Sequence, residues 1–141
     1  MEKAELKAIL WQARRLQFSK RSMLDKMAEL EYMIQKCTAT YGGVVVSGGD
    51  NGSRIEQGVA RLLDYRAKCA EAFGEYAERQ EEARRLIGLV EDAIARRVLE
   101  CRYLFGMNWY QTADEVHYSR TYVTRLHGMG IMQILQAVNS R

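Results

Sequence analysis

Apolar side chains recur every three or four residues along the first part of the chain, which is the spacing of one helical face. The pattern predicts a helix from residue 2 to about residue 36, with one polar interruption at Lys20. Four heptads of this kind are typical of a coiled coil, although a long helix of a globular bundle has the same pattern. The positions of this first seam are Leu6, Ile9, Ala13, Leu16, Lys20, Met23, Met27, Leu30 and Ile34.

A second series of apolar positions, or seam, follows, and its spacing alternates regularly between four and three residues. Ser53 and Glu56 match a capping box, so this helix is expected to start at Ser53. Arg66 and Gln80 are polar insertions, which fix register at some loss of stability. Gly88 is the predicted break before the last part of the chain. The seam positions are Ile55, Val59, Leu62, Arg66, Cys69, Phe73, Tyr76, Gln80, Ala83, Ile87, Val90 and Ile94.

The segment between the two seams, residues 38–52, contains five of the chain's 11 glycines and predicts a loop. No Gly-Lys-Ser/Thr follows it, so it is not interpreted as a phosphate-binding loop. The first helix can fold back through this loop and cover part of the second seam. The pattern leaves open whether the long helices pair within one chain or between chains. The length of the second seam predicts a homo-oligomer, a dimer, through these helices.

Residues 89–105 are expected to form the helix on which the last elements pack. Arg96, Arg97 and Arg102 are candidates for phosphate contacts, and a face salt-bridged with Asp92 and Glu100 is the alternative. After residue 127 the helical pattern continues, and its apolar residues are expected to pack on the first helices. Gly128 and Gly130 would lower helix stability and permit the close approach of a neighbouring helix or of a DNA backbone.

Two short helices with a tight turn are predicted between Asn108 and His127. Asn108 is a favourable N-cap with Gln111 three residues on, and Ser119 is a second N-cap soon after the first helix ends near residue 117. Two helices joined so closely must cross steeply, which is helix-turn-helix geometry. Short helical pairs of this kind also occur in all-α proteins that do not bind DNA.

The second of these short helices carries polar side chains suited to reading DNA. Arginine can donate two bonds to guanine, and threonine offers a hydroxyl or a methyl group to a base edge. The N-terminal part of a recognition helix is the part that reaches the bases. The candidate DNA-binding residues are Ser119, Arg120, Thr121, Tyr122, Thr124, Arg125 and His127. Trp109 and Tyr118 are expected to pack in the core.

This segment resembles region four of the sigma-70 family, the helix-turn-helix that reads the upstream promoter element. It is more similar still to a family of small phage and prophage proteins of Gram-positive bacteria, considered sigma-like transcription regulators. The residues that carry the resemblance are Arg102, Tyr103, Leu104, Asn108, Trp109, Ala113, Tyr118, Ser119, Val123, Arg125, Leu126 and His127. The chain departs from the pattern at Thr112 and Gly130, where Ile and Ala are usual. The resemblance implies double-stranded DNA and RNA polymerase as partners.

Charge is distributed unevenly along the chain, although the net charge is only +3. Residues 96–141 carry six Lys or Arg against three Asp or Glu, while residues 37–95 carry seven against ten. Residues 1–36 are again basic, with eight against five. The local excess near the motif suits phosphate contact, and its small size predicts weak, salt-sensitive binding from one copy.

The remaining composition argues against several classes of protein. Cys37, Cys69 and Cys101 are far apart and form no metal-binding spacing with the two histidines, so neither a metal site nor a disulfide is expected. No nucleophile–base pair suggests an enzyme, and no cofactor is expected. Without a signal segment or a membrane-length apolar run, we expect a cytoplasmic protein with no membrane contact.

Together these patterns predict an all-α protein: a long antiparallel helical hairpin or coiled coil, then a C-terminal helix-turn-helix. The expected domains are residues 1–88, with the Gly-rich loop at 38–52, and residues 89–141. The preferred hypothesis is a sequence-specific, sigma-like transcription regulator of phage type. The alternatives are a phage DNA-packaging protein of the small-terminase kind and a coiled-coil interaction protein.

Overall fold

The computed structural model describes residues 1–40 and 50–140, with the side chains of residues 1–38 and 52–140. In these ranges the chain is all-α. Helix α1 covers Lys3–Thr40 and α2 covers Asp50–Ile87. Three shorter helices follow: α3 (Ala93–Leu99), α4 (Trp109–Val116) and α5 (Arg120–Asn139). A π-helical segment, Glu100–Leu104, continues α3 directly.

Both long helices extend into the segment predicted as a loop. Residues 41–49, the centre of the predicted Gly-rich loop, lie outside the described residues, but residues 38–40 and 50–52 are helical. The predicted start of α2 at a Ser53–Glu56 capping box is therefore wrong. Asp50 and Asn51 are themselves residue types favoured at a helix N-terminus, so the helix starts before Ser53.

The predicted end of the second helix at Gly88 is confirmed, because α2 ends at Ile87 and the Gly88 amide donates to the Arg84 carbonyl over 2.9 Å. The seam predicted to continue to Ile94 is interrupted there. Val90 lies in the connection and is buried, whereas Ile94 is 37% exposed. The next helix starts only at Ala93, because Asp92 caps it by accepting the Ile94 and Ala95 amides, each at 2.9 Å.

The chain forms two compact units, one of which contains parts of both long helices only. This two-helix unit spans Lys20–Gly74. In it the two helices run antiparallel within one chain, since Arg66 pairs with Glu31 while Ile34 packs beside Gly58. Among its described side chains only Leu62 and Cys69 are buried. The remaining apolar seam residues keep part of their surface exposed.

The second unit combines Met1–Ser19 with Glu75–Arg141, and we call it the C-terminal unit. Its core draws on every helix. The buried contributors are Leu6, Leu10 and Ala13 of α1, Ala83, Leu86 and Ile87 of α2, Val90 of the following connection, Ala95, Val98 and Leu99 of α3, Tyr103 and Leu104 of the π-helical segment, Ala113 of α4, and Val123, Leu126, Ile131, Ile134 and Leu135 of α5. The prediction that the last helix packs on the first helices is therefore confirmed. The domain division after residue 88 stays a prediction.

Candidate nucleic-acid interface

Helix α4 begins where the sequence predicts, through a reciprocal pair of side-chain hydrogen bonds. The Gln111 amide donates to Asn108 Oδ1 over 2.8 Å, and the Asn108 amide donates to Gln111 Oε1 over 3.0 Å. Thr112, which stands where the resembling family usually has Ile, is fully buried. Its hydroxyl donates to the Asn108 carbonyl over 2.8 Å, so the polar substitution leaves no unsatisfied group in the core.

The turn between α4 and α5 consists of three residues. His117 ends α4 in the left-handed conformation, with φ of 61°. The Tyr118 amide donates to the Ala113 carbonyl over 3.2 Å, and the Ser119 hydroxyl accepts the Tyr122 amide over 3.3 Å. This tight connection fixes the start of α5 next to the end of α4, as a helix-turn-helix requires.

One side of α5 packs inward against the other helices of the C-terminal unit. Val123, Leu126 and Gly130 are buried, whereas Met129 is exposed. A Cβ on Gly130 would lie 2.8 Å from Leu99 Cδ1, so the glycine permits the close approach of α3. Gly128 has no such neighbour within 4 Å. Of the two glycines of α5, only Gly130 therefore permits close helix packing.

Four of the predicted DNA-binding side chains lie together on the exposed surface at the start of α5. They are Arg120, Thr121, Thr124 and Arg125, and we call them the recognition face. The Thr124 hydroxyl donates to the Arg120 carbonyl over 2.9 Å, which leaves its methyl group and an oxygen lone pair available. Tyr122 is also exposed, and its ring packs against Tyr118 at 4.9 Å between centroids. Tyr118 is itself exposed, because it lies in the turn between the two helices, so the prediction that it packs in the core is wrong.

The charge of the recognition face is not neutralised by acidic side chains. Neither Arg120 nor Arg125 takes part in an ion pair within 4.0 Å among the described residues. The first turn of α5 holds no acidic residue. Glu115, at the end of α4, is engaged by Arg97 over 2.9 Å. The face therefore combines two guanidinium groups, unpaired with carboxylates among the described residues, with the positive end of a helix dipole, which favours an anionic partner.

Arg120 has a contact that the sequence did not indicate. Its guanidinium lies 4.3 Å from the centroid of the Tyr110 ring, at the start of α4. Tyr110 is 65% exposed. Its contact with Arg120 therefore joins the exposed starts of the two helices into one surface.

The two remaining predicted site residues have structural contacts. Ser119 is the N-cap of α5. His127 is half-buried, with its Nε2 2.6 Å from the Tyr103 hydroxyl and its ring 5.2 Å from that of Trp109. Burial, together with the cations Arg102, Lys7 and Lys3, lowers the pKa of His127 to about 4. His127 is therefore neutral at pH 7, and its Nε2 can accept a hydrogen bond from the Tyr103 hydroxyl.

The sequence suggested that Arg102 contacts phosphate or belongs to a salt-bridged face, and both predictions are wrong. It is only 6% exposed, and its guanidinium lies 4.1 Å from the centroid of the Trp109 ring. Its Nη1 donates to the Met107 carbonyl over 2.9 Å, and no ion pair within the described residues includes it. Burial lowers its pKa, and the nearby Arg14 cation lowers it further.

Arg14 is a residue that sequence reasoning missed. It reaches from α1 to the start of α4, where its Nη1 donates to the Arg102 and Met107 carbonyls over 2.5 and 2.8 Å. Its guanidinium also lies 5.1 Å from the Phe18 ring centroid. The partners are about ninety residues apart in the chain, so no local pattern could indicate the contact. Arg14 and Arg102 thus brace the segment from which α4 starts.

The other arginines before α4 are engaged within the protein. Arg97 pairs with Glu100 and Glu115, so the salt-bridged interpretation holds for Arg97 and Glu100. Arg96 donates to the Val90 carbonyl over 3.2 Å. Asp92 acts as a helix cap instead of joining that face.

Other kinds of site find little support in the described parts of the chain. No group of three or more His, Cys, Asp or Glu residues there could hold a metal ion. No helix in the same ranges is long and apolar enough to cross a membrane. Comparison with known proteins adds no assignment: no protein-family model, curated protein or solved structure matches this chain.

Proposed function

We propose that this chain is a sequence-specific DNA-binding regulator of transcription, sigma-like in its last third. The observation that carries the proposal is the recognition face. It presents two arginines and two threonines, exposed and without carboxylate partners among the described residues, on the first turns of the second helix of a tight helix-turn-helix. Arginine and threonine at this position have the donors and the methyl group that base edges in the major groove require.

The rest of the C-terminal unit supports the orientation of that face. The Asn108 capping box fixes the start of α4, and Arg102 and Arg14 hold the preceding backbone through Met107. The exposed Tyr110 hydroxyl at the start of α4 is suited to a phosphate contact, which positions a protein on DNA without reading its sequence. In this account His127 orients α5 through Tyr103 and Trp109 and does not contact DNA.

Self-association through the long helices is part of the proposal. One recognition face offers few positive charges, so one copy should bind weakly. Two copies joined through the long helices would present two faces to two half-sites and increase the salt dependence of binding. RNA polymerase, the protein partner that the resemblance implies, would bind elsewhere on these helices.

A matched pair of variants tests the assignment of the recognition face. Arg120→Ala with Arg125→Ala removes its two cations, while Arg84→Ala with Arg85→Ala removes two exposed arginines near the end of α2. We expect the first variant to bind random-sequence duplex DNA at least about tenfold more weakly, with a smaller dependence of affinity on salt. The control should bind as the wild type does. Circular dichroism establishes that both variants are folded.

Binding by the first variant at wild-type affinity and with wild-type salt dependence would contradict the assignment. A wild-type protein that ignores DNA even at low salt would contradict the proposed function itself and favour the coiled-coil interaction protein. A ring of many subunits that binds duplex DNA without sequence preference would favour the packaging protein.

A further inference from the structure

Within the described residues, four arginines of the C-terminal unit lie over aromatic rings, and Arg120 differs from the other three. The guanidinium groups of Arg14, Arg97 and Arg102 contact rings and also donate to carbonyl or carboxylate oxygens. Arg120 lies 4.3 Å from the centroid of the Tyr110 ring, and its side chain makes no hydrogen bond or ion pair in the described ranges. The group is therefore held by its face while its donors are unused.

A guanidinium group uses different parts of its surface for these two kinds of contact. An aromatic ring binds the flat face of the group, whereas the five N–H donors lie in its plane and point outward from its edge. Stacking on Tyr110 therefore leaves every donor of Arg120 available, including the two that guanine O6 and N7 would accept. The ring restricts the side chain without competing for the atoms that would read a base.

Tyr110 lies in the first turn of α4, where the backbone position is well fixed. Asn108 caps the helix, and the half-buried ring of Trp109 lies 5.2 Å from the ring of His127. The Tyr110 side chain itself is 65% exposed, and its contact with Arg120 is its only ring contact among the described residues. Because a ring so exposed adds little to the core, packing alone does not account for an aromatic residue at position 110.

Arg125, the other arginine of the recognition face, has no comparable support. It lies over no aromatic ring and takes part in no ion pair within the described ranges. An unsupported side chain loses more rotamer freedom on binding than a supported one does. A phosphate can be reached from several rotamers, whereas two bonds to one base edge require a single geometry. The two arginines are therefore suited to different contacts.

We propose that Tyr110 is a positioning residue of the DNA-reading site. Its ring holds Arg120 in the orientation that recognises a guanine in the major groove, while Arg125 contacts a phosphate. The inference rests on the proposed function. It adds the residue that sets the preference for one base pair of the bound site.

Variants of the full chain test this role by selection from random duplex DNA, with sequencing. The position that Arg120 reads is the one at which Arg120→Ala loses the preference for guanine. Tyr110→Leu keeps an apolar side chain but removes the aromatic face, so the preference at that position should fall about two- to fivefold. Its preferences elsewhere in the site should match those of the wild type. Circular dichroism establishes that each variant is folded.

Two further variants separate positioning from a structural role. Tyr110→Phe keeps the ring and removes the hydroxyl, so it should retain the wild-type preference for guanine while losing the phosphate contact of the hydroxyl. In the Arg120→Ala background, Tyr110→Leu should change no base preference further, because Tyr110 acts through Arg120. Phe105→Leu is the control, since it removes another exposed ring over an arginine, Arg97, outside the recognition face. It should select the wild-type site.

Three outcomes would overturn the inference alone: an unchanged preference in Tyr110→Leu, a lost preference in Tyr110→Phe, or a base other than guanine at the position that Arg120 reads. Tighter DNA binding by Tyr110→Leu would also overturn it, because the ring would then withhold Arg120 from DNA. A wild type that selects no site contradicts the proposed function itself, and the inference with it.

Discussion

Arg102 is a buried cation that has no acidic partner among the residues the structure describes. Its guanidinium is stacked on Trp109 and donates to a backbone carbonyl, and no described residue forms a hydrogen bond with its buried Nε. Burying a charge in this way is costly, and the compensation here comes from the aromatic face and from the carbonyl dipole. The side chain therefore contributes more through packing than through its charge.

Two substitutions separate these contributions. Arg102→Ala removes the volume beside Trp109 and should lower the free energy of unfolding by about 2–4 kcal/mol. Arg102→Met keeps most of the volume and removes the buried charge, so we expect a loss below about 1.5 kcal/mol. The Met107 carbonyl retains Arg14 as a donor in both variants. Urea unfolding measures the difference, and equal losses would show that the charge itself is required.

The depressed pKa of His127 makes the stability of the fold depend on pH. The folded protein holds a proton on His127 only below about pH 4, whereas the unfolded chain binds one below about pH 6.5. Between these values the unfolded state binds more protons, so stability falls as the pH falls from 6.5 to 4. The shift corresponds to at most about 3 kcal/mol.

His127→Gln removes the titrating imidazole and keeps a side-chain oxygen that can accept a hydrogen bond from the Tyr103 hydroxyl. Unfolding measured across pH 6.5 to 4 should show a smaller loss of stability for His127→Gln than for the wild type. His117→Asn is the matched control, because position 117 is exposed and Asn tolerates its left-handed backbone. If the wild type and His127→Gln lose stability in parallel, His127 is not the group responsible.

At the scale of the element, α5 contains two glycines with opposite consequences. A Cβ at Gly128 meets nothing within 4 Å, so Gly128→Ala should stabilise the helix by up to about 1 kcal/mol. A Cβ at Gly130 would lie 2.8 Å from Cδ1 of the fully buried Leu99. Gly130→Ala should therefore be destabilising by about 1–2 kcal/mol, because the clash with α3 exceeds the gain in helix propensity. Thermal unfolding distinguishes the two, and a stabilised Gly130→Ala variant would show that α3 can move away.

Local chemistry predicted the helix ends of the C-terminal unit well. Asn108, Ser119 and Gly88 mark boundaries that the structure confirms, because a cap or a glycine acts on its own neighbours in the chain. The start of α2 was mispredicted because two adjacent N-terminal signals compete. The capping box of Ser53 and Glu56 was chosen, but the helix starts at the preceding pair, Asp50 and Asn51. The contacts of Arg14 and the pairing of Arg120 with Tyr110 depend on tertiary packing, so the sequence pattern could not indicate them.

The apolar seams of the long helices could be predicted from the sequence, whereas the residues that they pack against could not. Periodicity identified the inward positions of α1, all of which are buried or half-buried. Periodicity alone did not reveal that Leu6 and Ala13 belong to the core of the C-terminal unit, because a seam identifies a buried face and not the residues that it packs against. Four residues of the resemblance, Tyr103, Leu104, Trp109 and His127, are likewise packing residues.

At the scale of the whole molecule, two tasks are assigned to different parts of the chain. The recognition face of α5 is proposed to read DNA, and the long helices are proposed to join two copies. Disruption of the dimer should therefore weaken DNA binding without abolishing it, since each recognition face remains intact. Loss of the recognition face should leave the dimer unchanged.

The central claim is that the recognition face reads DNA sequence. The measurement that tests it most directly is selection from a pool of random duplex DNA by the purified wild-type protein, with sequencing, at two salt concentrations. We expect enrichment of a short site at both salt concentrations, with weaker retention at the higher one because phosphate contacts supply much of the affinity. Retention of DNA without enrichment of any site, or no retention at either salt concentration, would contradict it.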